Sequence, residues 1–277
     1  MINIQDEYRG LLSGVLYGGT QKEDRTQIGT RSVFGRILRH NMATGFPLLT
    51  AKKIYFKHAI TELLWILQGR TDLSYLLDNG VSYWNDDYER SGRTDGILGP
   101  VYGKQLRDFN GIDQLKRLLI QIKENPSSRR LVASFWNPAD MDDMVLPPCH
   151  YGFQVYINEG KLSLSWNQRS VDMFLGLPYD IAMYGLLLQM LAKGNGYKPG
   201  ELICHLGDCH LYNNHIDAAK EYLSARDLKL PTVELNKGLS YEHNLDIHVV
   251  NIPVHSDIIL KDYKYNSPIK AKLNVGT

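Results

Sequence analysis

Cysteine is scarce in this chain, with three in 277 residues. So small and odd a number excludes a disulfide framework and favours a reducing compartment. An excess of charge of either sign is also missing. Thirty-one Lys and Arg against 30 Asp and Glu leave a formal net charge of +1, so no global basic field marks a nucleic-acid or membrane partner. Any anion site must come from a local cluster. Long hydrophobic runs are absent as well. The most apolar helical stretch, Ile181 to Ala192, is too short to span a bilayer. Met1 to Asp6 lacks the basic flank and apolar run of a signal peptide. The expectation is a soluble, cytoplasmic protein without membrane or nucleic-acid partners.

What is present is ordinary globular composition, 43% hydrophobic and 22% charged, enough to bury a substantial core. Helical spacing of apolar residues predicts helices over Asp6–Tyr17, Lys57–Gln68, Leu73–Leu77 and Ile112–Lys123, and a long one from Ile181 to about Lys193. Asn213–Leu223 reads as a further helix. Strands are expected at Ser32–His40, Leu131–Trp136, Leu202–Leu206, Thr232–Leu235 and Asp246–Val250. Phe153–Ile157 and Lys161–Trp166 flank Asn158-Glu159-Gly160 as a hairpin. Gln21–Arg31 reads as a loop, and residues 85–95 as an exposed insertion. No repeat or linker interrupts the pattern. It implies one α+β domain over 1–277, its strands too intermixed with helices for a doubly wound fold.

The stretch Leu146-Pro147-Pro148-Cys149-His150 carries the first chemical signal. Two prolines stiffen the approach to Cys149, which stands at the mouth of a strand. A lone cysteine can equally be a small buried hydrophobe, and it becomes a nucleophile only where nearby cations favour its thiolate. Arg25, Arg129, Arg130 and Arg169 with Ser170 could supply those cations and bind a phosphate dianion in bidentate fashion. Arg129 and Arg130, adjacent at a strand's start, point to opposite faces and could not easily share one ligand in the same subunit. Glu62, inside an apolar helix, is either a solvated surface residue or a proton-handling carboxylate raised in pKa by burial. Cys204-His205 and Cys209-His210 lack the spacing of a metal site, and no metal is expected.

Taken together, Arg25 to Gly29, Glu62-Leu63-Leu64-Trp65, Leu98 to Gly103, Ser128-Arg129-Arg130, Pro147 to His150, Gln168-Arg169-Ser170, Asp172, Phe174 to Pro178, Gly207-Asp208 and His210-Leu211-Tyr212 resemble the thymidylate synthase family. The likeness is collinear and continues to Pro268-Ile269-Lys270-Ala271. It implies an α+β fold around a large mixed sheet flanked by helices, a homodimer through sheet packing, and residues 263–277 as a closing tail. It further implies that Cys149 attacks C6 of a pyrimidine nucleotide, with 5,10-methylenetetrahydrofolate as one-carbon donor. By the same resemblance Arg25, Gln168, Arg169 and Ser170 bind the nucleotide, joined by Arg129 and Arg130 of the neighbouring subunit. His210 and Tyr212 take the sugar hydroxyl. Glu62, Tyr102 and Asp172 organise waters and protons, and Trp84, Asp172, Leu175 and Gly176 face the folate.

Three departures from the family pattern matter. Asp180 stands where the family has an asparagine whose amide suits uracil. A carboxylate cannot donate to O4, but it can take two hydrogen bonds from N3-protonated cytosine. Asp180 could instead simply cap a helix beginning at Ile181. The same substitution marks relatives that modify deoxycytidylate for phage genomes, so the reading of the sequence is a dCMP C5-methylase, in a host cytoplasm if phage-encoded. Its rivals are a dCMP hydroxymethylase, a thymidylate synthase acting on dUMP, and a non-catalytic nucleotide- or RNA-binding protein. Ser170 matches the serine that accompanies deoxyribose. After Trp84, the family's second tryptophan is missing from Asn85-Asp86-Asp87-Tyr88, and the tail gains Gly276-Thr277. Both bear on water exclusion, and hence on methyl against hydroxymethyl product.

Overall fold

A computed structural model of the chain describes residues 3–24, 26–244 and 247–273. Helix α1 (Ile4–Gly18) starts where the Asn3 side chain accepts the Gln5 N–H, and it buries Ile4, Tyr8, Leu12 and Val15 on one face. Strands β1 (Thr20–Lys22) and β2 (Thr30–Asn41) follow. The loop expected over Gln21–Arg31 is therefore partly strand. Its polar ends pair with each other, Gln21 opposite Arg31, because ladder bonding at an edge needs no apolar side chains.

Five helices come next: α2 (Phe56–Leu67), α3 (Leu73–Asp78), α4 (Asn85–Arg90), α5 (Tyr102–Arg107) and α6 (Gln114–Glu124). The supposed exposed insertion at 85–95 thus begins as a helix. It is anchored by Asp87, which is buried and ion-paired to Arg90. The strand expected over Leu131–Trp136 contracts to β3 (Val132–Ser134). Strands β4 (His150–Asn158) and β5 (Lys161–Asp172) form the anticipated hairpin. Glu159 and Gly160 take positive φ of 49° and 71° at its turn, as a two-residue hairpin loop requires.

Helix α7 (Gly176–Gly194) crosses over to β6 (Lys198–Tyr212), and α8 (Ile216–Ser224) follows. The chain ends in two small pairs built from β7 (Thr232–Leu235), β8 (Ser240–Asn244), β9 (Ile247–Asn251) and β10 (Ile258–Lys261), with β7 pairing β10 and β8 pairing β9. Asp246, at the start of one expected strand, lies outside the described residues.

The main sheet runs β1-β2-β6-β5-β4-β3. Only β5 and β6 are parallel, joined by α7, so the sheet is mixed as the resemblance implied. Leu162, Leu164, Trp166 and Gln168 of β5 point into the core, where α7 and α2 pack. Leu186, Leu188 and Leu191 of α7 are fully buried there, and truncating any one to alanine should cost about 2–5 kcal/mol. Among the described residues the opposite face of the sheet is left open to solvent. Phe34 is 81% and Tyr156 64% exposed on it, with Ile37, Val132 and Tyr151 alongside. Among the described residues no helix is long and apolar enough to cross a membrane.

Candidate active site

Cys149 is half-buried and unbridged, one residue before β4. The register shift between His150 and Gly152 bends the strand there. Two side chains hold the turn. The Cys149 backbone N–H donates to the Tyr102 hydroxyl oxygen at 2.8 Å. Arg169 donates from Nε to the Pro148 carbonyl and from Nη2 to the Pro147 carbonyl, each at 2.9 Å. Its guanidinium therefore lies against the two residues preceding the thiol. His150 is buried beneath, stacked on Tyr102 at 4.3 Å and hydrogen-bonded through Nδ1 to the Tyr184 hydroxyl at 2.8 Å. Burial pulls its pKa down to about 3, so the imidazole stays neutral.

Three carboxylates, Glu62, Asp172 and Asp180, lie close enough to act on one another. Glu62 of α2 accepts from the Tyr83 hydroxyl at 2.6 Å and from Trp84 Nε1 at 2.9 Å. Burial raises its pKa, while these two hydrogen bonds pull it back. Asp172, at the end of β5, accepts the N–H groups of Phe174 and Leu175 through Oδ1 and so shapes the turn into α7. Lys52 reaches the same turn. Its Nζ donates to the Phe174 carbonyl and lies 3.9 Å from the Phe174 ring centre, and burial lowers its pKa to about 8 against the pull of Asp172.

Asp180 is not a helix cap. Helix α7 begins at Gly176, after Leu175, which offers no side-chain cap. Asp180 therefore sits inside the helix, beyond its first turn, where no orphan N–H remains to be capped. Its Oδ2 accepts from Gln168 Nε2 at 2.8 Å. Burial pushes its carboxyl up to about 7, with Glu62 and Asp172 adding to the rise and the Gln168 bond opposing it. Gly176 lies one turn before, where an added Cβ would meet Asp180 Oδ2 at 3.9 Å.

The remaining residues divide by position. Ser170, His210 and Tyr212 stand on the adjacent ends of β5 and β6, with Asp172 opposite His210 in the register. The His210 ring meets Tyr212 edge-on at 5.3 Å. Arg129 and Arg130 lie elsewhere, exposed in the turn before β3. Val132 pairs with Gln154, so the arginines fall near the far end of β4, about 20 Å from Cys149 at strand spacing. They do not join the cleft of their own chain. Arg25 lies outside the described residues. Cys204 and Cys209 are core residues, His205 is exposed, and among the described residues no three metal-ligating side chains converge.

Sequence reasoning did not find Lys52, Tyr83, Tyr184 or Trp166. Tyr83 directly precedes Trp84, but its link to Glu62 depends on how α2 faces that turn, which has no local signal.

A family model described as thymidylate synthase matches residues 6–275. A thymidylate synthase from Mycoplasma mobile is 43% identical, over 98% of this chain and 100% of its own length. The chain belongs to the thymidylate synthase family. It is a folate-dependent pyrimidine-nucleotide C5-methyltransferase, with methylenetetrahydrofolate as the one-carbon donor. The relative carries the name of the thymidylate-forming enzyme and not of a cytidylate-modifying one, which turns the weight of the comparison away from the dCMP expectation.

Proposed function

We propose that this member of the thymidylate synthase family methylates C5 of a 2′-deoxypyrimidine 5′-monophosphate, deoxyuridylate in the first instance, through a covalent bond between Cys149 and C6. The observation that carries the reaction is the setting of Cys149, with its turn pinned by Tyr102 and by the Arg169 fork. C5 is a poor nucleophile until a thiolate adds at C6, and the guanidinium next to the turn favours that thiolate. Glu62, Tyr102 and Asp172 organise protons and waters around the base. Ser170, Arg169 and Arg25 hold the phosphate, and His210 and Tyr212 hold the sugar. The donor supplies the one-carbon unit and the hydride that completes a methyl group.

A cavity of about 410 Å³ beside the cleft suits that donor. Tyr55, Tyr263 and Tyr265 give it flat walls, and Lys53 and Lys57 give it positive charge, matching an aromatic body with carboxylates. It adjoins the cleft at Tyr179, whose hydroxyl accepts the Tyr55 N–H at 3.4 Å. Trp84, Leu175 and Gly176 complete the folate side. The whole of 1–277 acts as one catalytic unit, with 263–277 as its closing tail. The bare sheet face bearing Phe34 and Tyr156 supports a homodimer, in which Arg129 and Arg130 serve the neighbouring cleft.

Deoxyuridylate is preferred because the Mycoplasma relative is named for its product. Deoxycytidylate is the second reading, favoured by Asp180. In ionised form it offers no donor to O4 of uracil, and its place inside α7 removes the capping explanation. One assay separates the two: purified protein with methylenetetrahydrofolate and either nucleotide, products identified by mass. Turnover of dUMP alone supports the first reading, and turnover of dCMP alone the second. A hydroxymethyl product would refute methylation, and no turnover of either would refute the reaction.

A further inference from the structure

Arg169 is exposed, yet four neutral groups fix it. Its backbone N–H donates to the Cys149 carbonyl at 2.8 Å, and its Nε and Nη2 reach the Pro148 and Pro147 carbonyls. One residue thus holds three consecutive carbonyls of the nucleophile's turn. The guanidinium carbon also lies 5.6 Å from the centre of the Trp136 ring, within cation–π range. Arg9, Arg39, Arg70, Arg90, Arg93 and Arg107 are held differently, each by a carboxylate. A carboxylate cancels the charge it anchors, whereas a carbonyl or an indole face leaves that charge for a ligand. After the two carbonyl bonds, three of the five guanidinium donors remain.

The close approach of β6 brings the Arg169 backbone to that turn. The ladder pairs Gln168 with Leu206 and Ser170 with Asp208, which sets Gly207 opposite Arg169. A Cβ at Gly207 would meet the Arg169 carbonyl oxygen at 2.7 Å, and its carbonyl carbon and Cα at 3.2 Å each. Those are backbone atoms of an interior strand, flanked by β4 and β6, so relief means moving the strand and not a side chain. The φ of Gly207 lies outside the left-handed region, so its missing side chain serves space alone. We infer that Gly207 and Trp136 are positioning residues for Arg169: the bare Cα sets its backbone and the indole backs its guanidinium, so that an uncancelled cation stands beside Cys149 before any anion arrives. The inference rests on the proposed function only for the identity of that anion, a nucleotide phosphate. An arginine already in place loses little side-chain freedom when the phosphate binds.

The thiol itself reports the cation. Cys204 and Cys209 are buried, so Cys149 is the cysteine open to alkylation. Iodoacetamide and iodoacetate react alike: the thiolate sulfur bonds to the methylene carbon and iodide leaves. One reagent is neutral and the other an anion. The ratio of their rates therefore cancels the thiol's own ionisation and reads the charge beside it. Any charge that Arg129 and Arg130 of a neighbouring subunit add is common to all variants, and Arg169→Leu marks the level without Arg169.

The experiment measures both rates on the full chain without nucleotide or folate. The iodoacetate-to-iodoacetamide ratio of the unaltered protein should exceed that of Arg169→Leu by about tenfold. Gly207→Ala and Trp136→Leu should each bring it most of the way down, while Trp136→Phe, which keeps an aromatic face, should hold it. Equilibrium binding of dUMP without folate should weaken about tenfold in the first two variants and stay within about twofold in Trp136→Phe. An equal ratio in the unaltered protein and Arg169→Leu overturns the cation beside the thiol. An unchanged ratio in Trp136→Leu overturns the inference even if Gly207→Ala fails to fold. An unchanged ratio in a folded Gly207→Ala removes Gly207 from it. Lowered ratios in both variants, with no binding of dUMP to the unaltered protein, support the positioning and refute the proposed function alone.

Discussion

The backbone N–H of Cys149 donates to the hydroxyl oxygen of Tyr102 across 2.8 Å, and the same phenol ring stacks on His150 at 4.3 Å. One side chain from α5 thereby holds both the nucleophile's backbone and the residue that follows it.

Tyr102→Phe keeps the ring and removes the acceptor. The Cys149 N–H then loses its partner in a partly buried turn, at a cost of about 1–3 kcal/mol. Turnover should fall roughly tenfold to a hundredfold, with circular dichroism unchanged. Full activity in the variant would show that this amide contact does not matter to the chemistry.

Glu62 is pulled in two directions, upward by burial and downward by the hydroxyl of Tyr83 and the indole of Trp84. Tyr83→Phe deletes one of the two donors that favour the carboxylate. The Glu62 pKa should rise, moving the acidic limb of the kcat/KM profile to higher pH. Glu62→Gln, which removes the titrating group, should lower kcat by about a hundredfold or more. A pH–rate series on the three proteins reads both effects.

Asp180 and His150 tie stability to pH with opposite sign. The Asp180 carboxyl is raised from 3.8 in the unfolded chain to about 7, so the folded state holds the proton more tightly. Its contribution is complete below about pH 4 and is lost as pH rises through 7. Asp180→Asn cannot ionise. Its Tm should therefore gain on that of the unaltered protein between pH 4 and pH 8, by an amount equivalent to a few kcal/mol at most. Equal Tm differences at both pH values would contradict the raised carboxyl.

His150 runs the other way. Its pKa falls from 6.5 to about 3 on burial, so the unfolded chain takes up the proton first. Stability is intact above about 6.5 and lost as pH drops through the window down to 3. His150→Gln should flatten the fall in Tm between pH 7 and pH 4, measured calorimetrically.

The sheet face is tested by charge. Phe34 and Tyr156 are exposed on the side opposite α7, and Tyr156→Glu would set a charge in any apolar interface formed there. The unaltered protein should sediment as a dimer and the variant as a monomer. Because Arg129 and Arg130 lie about 20 Å along β4 from Cys149 in their own chain, the monomer should also bind nucleotide more weakly. A monomeric unaltered protein with full activity would exclude the partner's arginines from the cleft.

Local chemistry in the sequence went a long way. Apolar spacing located α2 within one residue, expected over Lys57–Gln68 and found at Phe56–Leu67. Asn158-Glu159-Gly160 marked the hairpin turn because its positive φ values need such residues. The ordered series of motifs, each a short-range signature, led to the family. Pairings between distant segments left no such trace. Leu202–Leu206 gave no hint that β6 runs on to Tyr212, since its polar half is stabilised by hydrogen bonds to β2 and β5 and not by its own side chains. A cap at Asp180 is the alternative the sequence leaves open because the helix is expected to begin at Ile181, yet proline is tolerated in a first helical turn, and α7 starts at Gly176. Tertiary packing alone put Tyr102 on Cys149 and aimed Gln168 at Asp180. The residue types came from the sequence; which atom donates to which was decided only when the sheet and α7 closed over them.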